Sequence, residues 1–324
     1  MRSHVGFDAL WSMRIPVPYS LLLRSGALGW SCGQCPLDRE GAVIAPGDVT
    51  AQAGIVANLA RTVLARGGFA VKDLTMAVVY TTAADPAPVL SRLRAALGDR
   101  GLLVPVTVPA FYYPGMEIEL DLFVARGGPQ AHQACQGDGW TADVVTAHGL
   151  RFVSASLGAG ADAAALRLAL DLDGALIEHW SHPDPAGLPP HAVIGQTGCV
   201  WAVTVPGARS ETRRVGDAVV TLRHNHRWLS LTGLAPAVAG LVPQTETIMA
   251  ALEDVLHDHG AGFPDVVKST THYVGQPTPD DLHANMQVRN RRYRSPGPAS
   301  TGIRVQALAN PGALTAISLL AERP

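Results

Sequence analysis

Three acidic residues alternate with apolar ones near residue 120, and they are candidates for acid–base catalysis. Glu117, Glu119 and Asp121 lie in the segment Met-Glu-Ile-Glu-Leu-Asp-Leu. Side chains two residues apart point to the same face of a β-strand, so the three carboxylates would share one face. A carboxylate in a partly buried cleft can take a proton from water that adds to an imine or an enol ether. The alternative is a strand face whose acids are solvated.

Aromatic residues directly precede this strand. Phe111, Tyr112 and Tyr113 stand in the sequence Ala-Phe-Tyr-Tyr-Pro, and three aromatic residues are more than a turn needs. We predict that Tyr112 and Tyr113 form part of the wall of a pocket for a planar ligand, because aromatic rings stack on flat groups. The alternative is that they pack between neighbouring units of the fold.

The sequence Cys32-Gly-Gln-Cys35 is a Cys-x-x-Cys motif, so redox and metal sites have to be considered. A redox pair requires its first cysteine at the start of a helix, whereas Pro36 continues this segment as a loop. A zinc site would need two further ligands, and Cys135 with His132 is the conceivable pair. Neither of the two His-x-His sequences carries the rest of a metal motif. We therefore predict no metal ligand and no cofactor.

The secondary-structure pattern has to position these residues, and it repeats along the chain. Residues 19–36 form a predicted hairpin, and the spacing of apolar residues extends it to the order β-β-α-β-α-β by residue 126. The same order returns in residues 209–324. Two segments of similar length with one element order indicate an internal duplication.

A weaker third copy lies between them. Residues 140–208 show the order β-β-α-β, with a helical pattern over residues 161–179 and no second helix. We predict three units, formed by residues 1–126, 140–208 and 209–324, with a linker at residues 127–139 after the first.

The loops between these elements resemble those of the RidA (YjgF/YER057c/UK114) family. The N-terminal copy shows the resemblance at Pro18-Tyr-Ser20, Ser31-Cys-Gly-Gln-Cys-Pro36 and Gly47-Asp-Val-Thr-Ala-Gln52. The C-terminal copy shows it at Lys268-Ser-Thr-Thr271 and Pro298-Ala-Ser-Thr-Gly-Ile-Arg-Val305. The resemblance implies an α+β fold of chorismate-mutase-like units in a pseudo-trimeric barrel, with ligand clefts between neighbouring units. It also implies hydrolysis of reactive enamines and imines without a metal or cofactor.

The same resemblance implies roles for individual residues. Glu117 matches the family position that orients the attacking water, and Tyr19 matches the tyrosine that lines the cleft. Cys32 takes the position of a serine whose side chain binds the ligand, together with the backbone N–H of Gly33. We therefore predict Glu117 as the catalytic residue and the other three as substrate-binding residues.

The family's carboxylate-binding arginine is missing from its usual place. Ser300 occupies that position in the C-terminal copy, and an apolar residue, about Leu103, occupies it in the N-terminal copy. Neither side chain can donate the two parallel hydrogen bonds with which an arginine binds a carboxylate. We therefore predict a planar, weakly anionic small-molecule substrate. Arg304, or an arginine among residues 289–294, could supply a cation instead, and a solvated helix end is the alternative for that group.

Three functions are compatible with these residues. The first is a cofactor-free enzyme that acts on an enamine, imine or enol-type small molecule, as a specialised biosynthetic step. The second is a hydrolase similar to the chorismatases, which the tandem form and the string Pro-Ala-Ser-Thr-Gly-Ile resemble. The third is a non-catalytic ligand-binding protein, because loss of the arginine is expected in an active site that has lost its activity.

The composition excludes other classes of protein. Lys and Arg number 25 against 27 Asp and Glu, and no basic stripe is present, so nucleic acid is not an expected partner. Charged residues, Gly and Pro interrupt every apolar stretch before the ~18 residues of a membrane span, and the N-terminus lacks the apolar core of a secretory signal. We expect a cytoplasmic protein, and the sequence leaves open whether it forms a homo-oligomer.

Overall fold

The structure is a computed structural model that describes residues 2–7, 10–158, 160–184, 187–195, 198–275 and 279–324. The first segment contains β1 (Arg2–Val5), β2 (Leu22–Ser25), β3 (Leu28–Ser31), α1 (Val49–Arg66), β4 (Leu74–Thr81), α2 (Ala87–Leu97), β5 (Leu102–Thr107) and β6 (Ile118–Ala125). The middle segment contains β7 (Ala131–Gly137), β8 (Trp140–Ala147), β9 (Leu150–Leu157), α3 (Ala163–Ala169), β10 (Ala175–His182), β11 (Val193–Ile194) and β12 (Gly198–Thr204). The third segment contains β13 (Arg209–Val215), β14 (Ala218–His224), β15 (Trp228–Leu234), α4 (Leu241–Asp258), β16 (Val266–Val274), α5 (Pro279–Asn290), β17 (Ala299–Val305), β18 (Ala307–Leu308) and β19 (Thr315–Glu322).

Each segment builds one sheet, and the three sheets share one strand order. The first sheet has the order β1-β2-β3-β6-β4-β5, and the third repeats it as β13-β14-β15-β19-β16-β17. The second sheet has the corresponding order β7-β8-β9-β12-β10-β11, extended by β18 of the third segment. Each contains a parallel pair, namely β4 with β5, β10 with β11, and β16 with β17. The predicted α+β fold, with three similar units in a pseudo-trimeric arrangement, is confirmed.

Two predictions for the middle segment are wrong. Residues 131–137, within the predicted linker 127–139, form β7 and pair with β8. This strand is mostly exposed, so its sequence lacks the apolar alternation that signals a strand. The helix predicted over residues 161–179 ends at Ala169, and β10 follows instead. Asp171 has a left-handed backbone (φ 53°) that interrupts the helix, and a short buried strand cannot be told from a buried helix by its apolar content.

The inner faces of the three sheets pack around one apolar core. Large aromatic residues from all three sheets meet there: Trp30, Phe123, Phe152, Trp201 and Trp228. Helices α1 and α2 cover the outer face of the first sheet, α4 and α5 cover that of the third, and α3 packs on the second. Within the described residues, the helices lack the length and apolar character of a membrane-spanning segment.

An ion-pair network joins the second and third sheets. Glu178 on β10 is buried and accepts hydrogen bonds from Arg223 on β14, from Arg167 on α3 at 3.1 Å and from the indole N–H of Trp180 at 3.0 Å. Burial alone would raise the pKa of Glu178, but the neighbouring cations hold it far below its usual value. The carboxylate is therefore ionised, and both of its oxygens accept hydrogen bonds.

Two buried histidines contact each other at the same junction. The ring centroids of His179 on β10 and His272 on β16 are 4.9 Å apart, and His179 stacks on Trp201. Burial lowers the pKa of His272 to about 4, with a further contribution from His191, and lowers the pKa of His179 well below its usual value. Both rings are therefore neutral in the folded protein at neutral pH.

We predict that these histidines destabilise the protein as the pH falls below about 6.5. An unfolded histidine binds its proton near that pH, whereas His272 binds one only near its pKa of about 4, so stability is lost as the pH falls. Between pH 7.5 and pH 5 the wild type should lose about 2 kcal/mol more than the His272→Gln variant. Urea unfolding measures both losses. Equal losses would contradict the prediction, and the exposed His148→Gln variant should behave as the wild type.

Candidate functional site

A cavity of about 780 Å³, measured with its mouth, lies between the first and third sheets. The first sheet and the loop after β3 contribute Glu119 and Gly33, while α5 and β17 contribute Arg289 and Ser300. Aromatic side chains from the residues before β2 and from the loop before β6 complete its wall. This cleft therefore forms between two units of one chain.

Six of the seven predicted site residues line this cavity. They are Tyr19, Cys32, Gly33, Tyr112, Tyr113 and Arg304. Arg304 comes from the opposite end of the chain from the other five, and the packing of the third sheet against the first brings them together. Glu117, the predicted catalytic residue, does not line the cavity.

The three alternating acids lie at three depths along β6. Glu117 precedes the strand, where its backbone N–H donates to the side chain of Gln52 at 2.7 Å and its carboxylate accepts a hydrogen bond from the Thr82 hydroxyl. Glu119 lines the cavity, and Asp121 is fully buried beyond it. The geometry therefore favours Glu119 over Glu117 as the acid–base group, because Glu119 alone of the three faces the space available to a ligand.

Glu119 is buried beside the loop that follows β3. A Cβ atom on residue 33 would lie 1.6 Å from Oε1 of Glu119, so a glycine is required there. The side chain is 7% exposed. Burial raises the pKa of Glu119 to about 8, and the nearby charge of Asp121 adds to this effect while Lys268 opposes it. At neutral pH this carboxyl group is therefore mostly protonated, as a general acid must be.

A buried ion pair next to Glu119 joins the first sheet to the third. Nζ of Lys268 on β16 donates to Oδ2 of Asp121 at 2.8 Å, to the carbonyl oxygen of Ser31 at 2.8 Å and to Oγ1 of Thr301 at 2.7 Å. The hydroxyl of Thr301 donates to the second Asp121 oxygen at 2.6 Å. All three ammonium protons thus have acceptors, which a buried charge requires.

Two arginines line the cavity, although their usual family position holds Ser300. Arg289 in the last turn of α5 is 4% exposed, and its Nη1 donates to Oγ1 of Thr271 at 2.9 Å. The Nε atoms of Arg289 and Arg304 are buried and find no hydrogen-bond partner among the described residues. The described cavity wall therefore holds two arginines from the group that the sequence offered as a replacement cation, and the weakly anionic substrate stays a prediction. The other position considered, Leu103, belongs to the apolar layer under the helices.

The aromatic wall is built from residues of distant segments. The rings of Tyr112 and Tyr113 meet edge to face with centroids 4.9 Å apart, and the Tyr112 hydroxyl lies 2.5 Å from Nε2 of His283 on α5. Tyr19 packs edge to face on Tyr293 at 5.7 Å. Burial raises the pKa of Tyr19, with Arg289 and Ser300 opposing the effect, so its hydroxyl stays protonated.

The two cysteines of the Cys-x-x-Cys motif are buried free thiols. Burial raises the pKa of Cys32 and of Cys35 far above the usual range, so neither is a thiolate at neutral pH. The Cys32 thiol donates to the carbonyl oxygen of Gly33 at 3.4 Å. The geometry is consistent with a lining role for Cys32 and gives no support to a nucleophile.

Sequence reasoning missed several lining residues, namely Phe7, Trp11, Met13, Tyr273, Leu282 and Met286. Phe7 and Trp11 stand in an N-terminal segment without helical or strand periodicity, so nothing in the sequence indicates where they pack. Tyr273 lies near the end of β16, two residues after the Lys-Ser-Thr-Thr string that resembles the family. That proximity is the feature of the sequence that could have indicated it as a lining residue. Met286 on α5 carries no pattern of its own.

Comparison with solved structures finds proteins that match about two-fifths of this chain. TM0215 from Thermotoga maritima is 27% identical, covering 40% of this chain and 100% of its own, with a TM-score of 0.35. Rv2704 from Mycobacterium tuberculosis, a member of the YjgF/YER057c/UK114 family, is 22% identical over 39% of this chain and 99% of its own, with a TM-score of 0.31. The chain resembles this family. TdcF from E. coli, solved with bound serine, is 17% identical over 38% of this chain and 99% of its own, with a TM-score of 0.33.

Each of the three proteins is matched almost whole by about two-fifths of this chain. No family model matches the chain, and no curated protein matches it.

We predict that Glu119 titrates near pH 8 in the folded protein, because burial and Asp121 disfavour its charged form. Carbon-13 NMR of glutamate labelled at its carboxyl carbon should show one resonance with a midpoint near pH 8. That resonance should be absent from Glu119→Gln and present in Glu117→Gln. A Glu119 midpoint near the usual value for glutamate would contradict the prediction.

We also predict that Lys268→Met is strongly destabilising, because it leaves the Asp121 carboxylate buried without a cation. Removing one partner of a buried pair costs about 3–5 kcal/mol, and urea unfolding at pH 7.5 measures the loss. The double variant Lys268→Met/Asp121→Leu should recover most of it. The control is Arg291→Met, which breaks an exposed pair with Glu246 at 3.8 Å and should cost less than about 1 kcal/mol. A similarly small loss for Lys268→Met would contradict this account.

Proposed function

We propose that this chain is an enzyme that transfers a proton at a C=N or enol-type double bond of a small molecule, with Glu119 as the acid–base group. The observation that carries the proposal is a buried carboxyl group in the wall of this cavity, and the pKa of that group is raised to about 8. Acid–base catalysis is most effective when the pKa of the group lies near the working pH. Such a perturbed group in a cleft is typical of a functional site.

The chemistry follows from the protonated state of Glu119. For an enamine, the carboxyl proton goes to the β-carbon, and the electron pair of the C=C bond forms the new C–H bond while the nitrogen becomes an iminium. The Glu119 carboxylate then takes a proton from water as the water oxygen bonds to the iminium carbon. In the resulting carbinolamine, Glu119 gives this proton to the nitrogen, and the C–N bond breaks as an oxygen lone pair forms the C=O bond. Glu119 then takes the proton of the former hydroxyl group, which leaves ammonia, a carbonyl product and a protonated Glu119.

Other residues of the cavity bind and orient the substrate in this proposal. The guanidinium of Arg289 is fixed by Thr271 and faces a ligand carboxylate. The rings of Tyr19 and Tyr112 provide flat apolar contacts that also exclude water. The serine in TdcF is in line with a small-molecule ligand here, but the proposal depends on the residues of this cavity.

The test compares Glu119 with Glu117, the neighbouring carboxylate two residues earlier in the chain. Glu119→Gln should lower kcat/KM at least 100-fold, because general acid–base catalysis contributes about 10²–10⁴-fold. Glu117→Gln is the matched control, since its side chain lies outside the cavity, and its kcat/KM should stay within about twofold. The substrates are imines generated in the assay from alanine, phenylalanine and glutamate, and ammonia release is measured.

The pH profile provides a second readout of the same assignment. Since the protonated form of Glu119 starts the reaction, kcat/KM should fall as the pH rises through about 8. Loss of activity in Glu117→Gln with activity kept in Glu119→Gln would reverse the assignment. A wild type that binds these compounds but turns none of them over would instead favour the ligand-binding alternative.

A further inference from the structure

Two guanidinium groups enter the cavity from different elements of the third segment. Arg289 lies in the last turn of α5, and Arg304 lies near the end of β17, the parallel edge strand of the sheet. Both line the same cavity. The hydrogen bond to Thr271 fixes the orientation of the Arg289 guanidinium, and its Nε finds no acceptor among the described residues.

Neither of these cations is neutralised by a carboxylate that the structure describes. Among the described residues, no carboxylate forms an ion pair with either of them, whereas the nearby Arg291 and Arg292 pair with glutamates of α4. Glu119 is the acid of the described cavity wall, and it is mostly protonated at neutral pH. The described part of the cavity wall therefore carries two positive charges that no described carboxylate offsets.

The missing hydrogen-bond acceptors of the two arginines also indicate an anionic ligand. Each Nε–H is buried and finds no acceptor among the described residues. A buried donor on a charged group without an acceptor is costly, and a ligand oxygen would relieve that cost. Both guanidinium charges act on the hydroxyl of Tyr273, which lines the cavity with them. Each of the two arginines thus has a donor available to an anionic ligand of this cavity.

We propose that the ligand of this cavity carries two anionic groups on one flat apolar body, such as a dicarboxylate of an aromatic or conjugated compound. Arg289 and Arg304 each take one anionic group, and the aromatic wall formed by Trp11, Tyr112 and Tyr113 contacts the flat body. This proposal rests on the proposed function only in taking the same cavity as the active site. The competing arrangement is one carboxylate shared by both arginines.

Binding of simple probes separates these arrangements without any turnover. Calorimetry compares benzoate with the three benzenedicarboxylates, whose carboxylates have different spacings, and with benzamide as the neutral probe. At least one dicarboxylate should bind the wild type tenfold or more tightly than benzoate, and benzamide should bind most weakly. If no dicarboxylate binds more tightly than benzoate, the proposal is overturned.

Variants of the two arginines test whether each of them binds one anionic group. Arg289→Gln and Arg304→Gln should each reduce the affinity for the preferred dicarboxylate to about that of benzoate for the wild type. Benzoate itself should lose affinity in one of the two variants and keep it in the other. Arg291→Gln, outside the cavity, should bind all probes as the wild type does. Loss of benzoate binding in both variants would support the shared carboxylate instead.

Two further measurements keep the outcomes distinct. Thermal unfolding verifies that each variant is folded, and Arg289→Lys and Arg304→Lys, which keep the charge, should retain part of the dicarboxylate preference. The same titrations on Glu119→Gln separate this inference from the proposed function. A dicarboxylate preference that persists in that variant, with catalysis unaffected, would leave the ligand class standing and the role of Glu119 refuted.

Discussion

Lys268 reaches across the junction of the first and third sheets to pair with Asp121, 147 residues earlier in the chain. This pair is almost completely buried, and its charges are tolerable only because every ammonium proton has an acceptor. Both sheets have to be docked for this arrangement to exist. The cavity lies at the same junction, so the contact that joins the sheets also maintains the space in which a ligand can bind.

The same pair sets the electrostatics of the neighbouring acid. Asp121 raises the pKa of Glu119 and Lys268 lowers it, after the larger effect of burial. The described cavity wall thus presents a mostly neutral carboxyl group and two arginine cations together. An anionic ligand and a proton donor are thus compatible there, since binding an anion at the arginines does not require Glu119 to ionise.

Repetition of one unit has produced junctions with different chemistry. The first and third sheets enclose the cavity, while the second and third are joined by buried histidines and by the network around Glu178. The middle unit has a short helix and a two-residue β11 in place of a full edge strand. A single chain allows each junction to change independently, which a trimer of identical subunits does not permit.

The sequence by itself determined the repeated element order, the loop strings that line the cavity and the shared face of the three acids, because these depend on local periodicity and on turn residues. It could not tell Glu119 from Glu117, since alternation places both on one face and only strand register sets their depth. Nor could it show that Arg289 turns inward while Arg291 faces solvent. The position of a residue within a cavity depends on how distant segments pack, and that information lies in the tertiary structure.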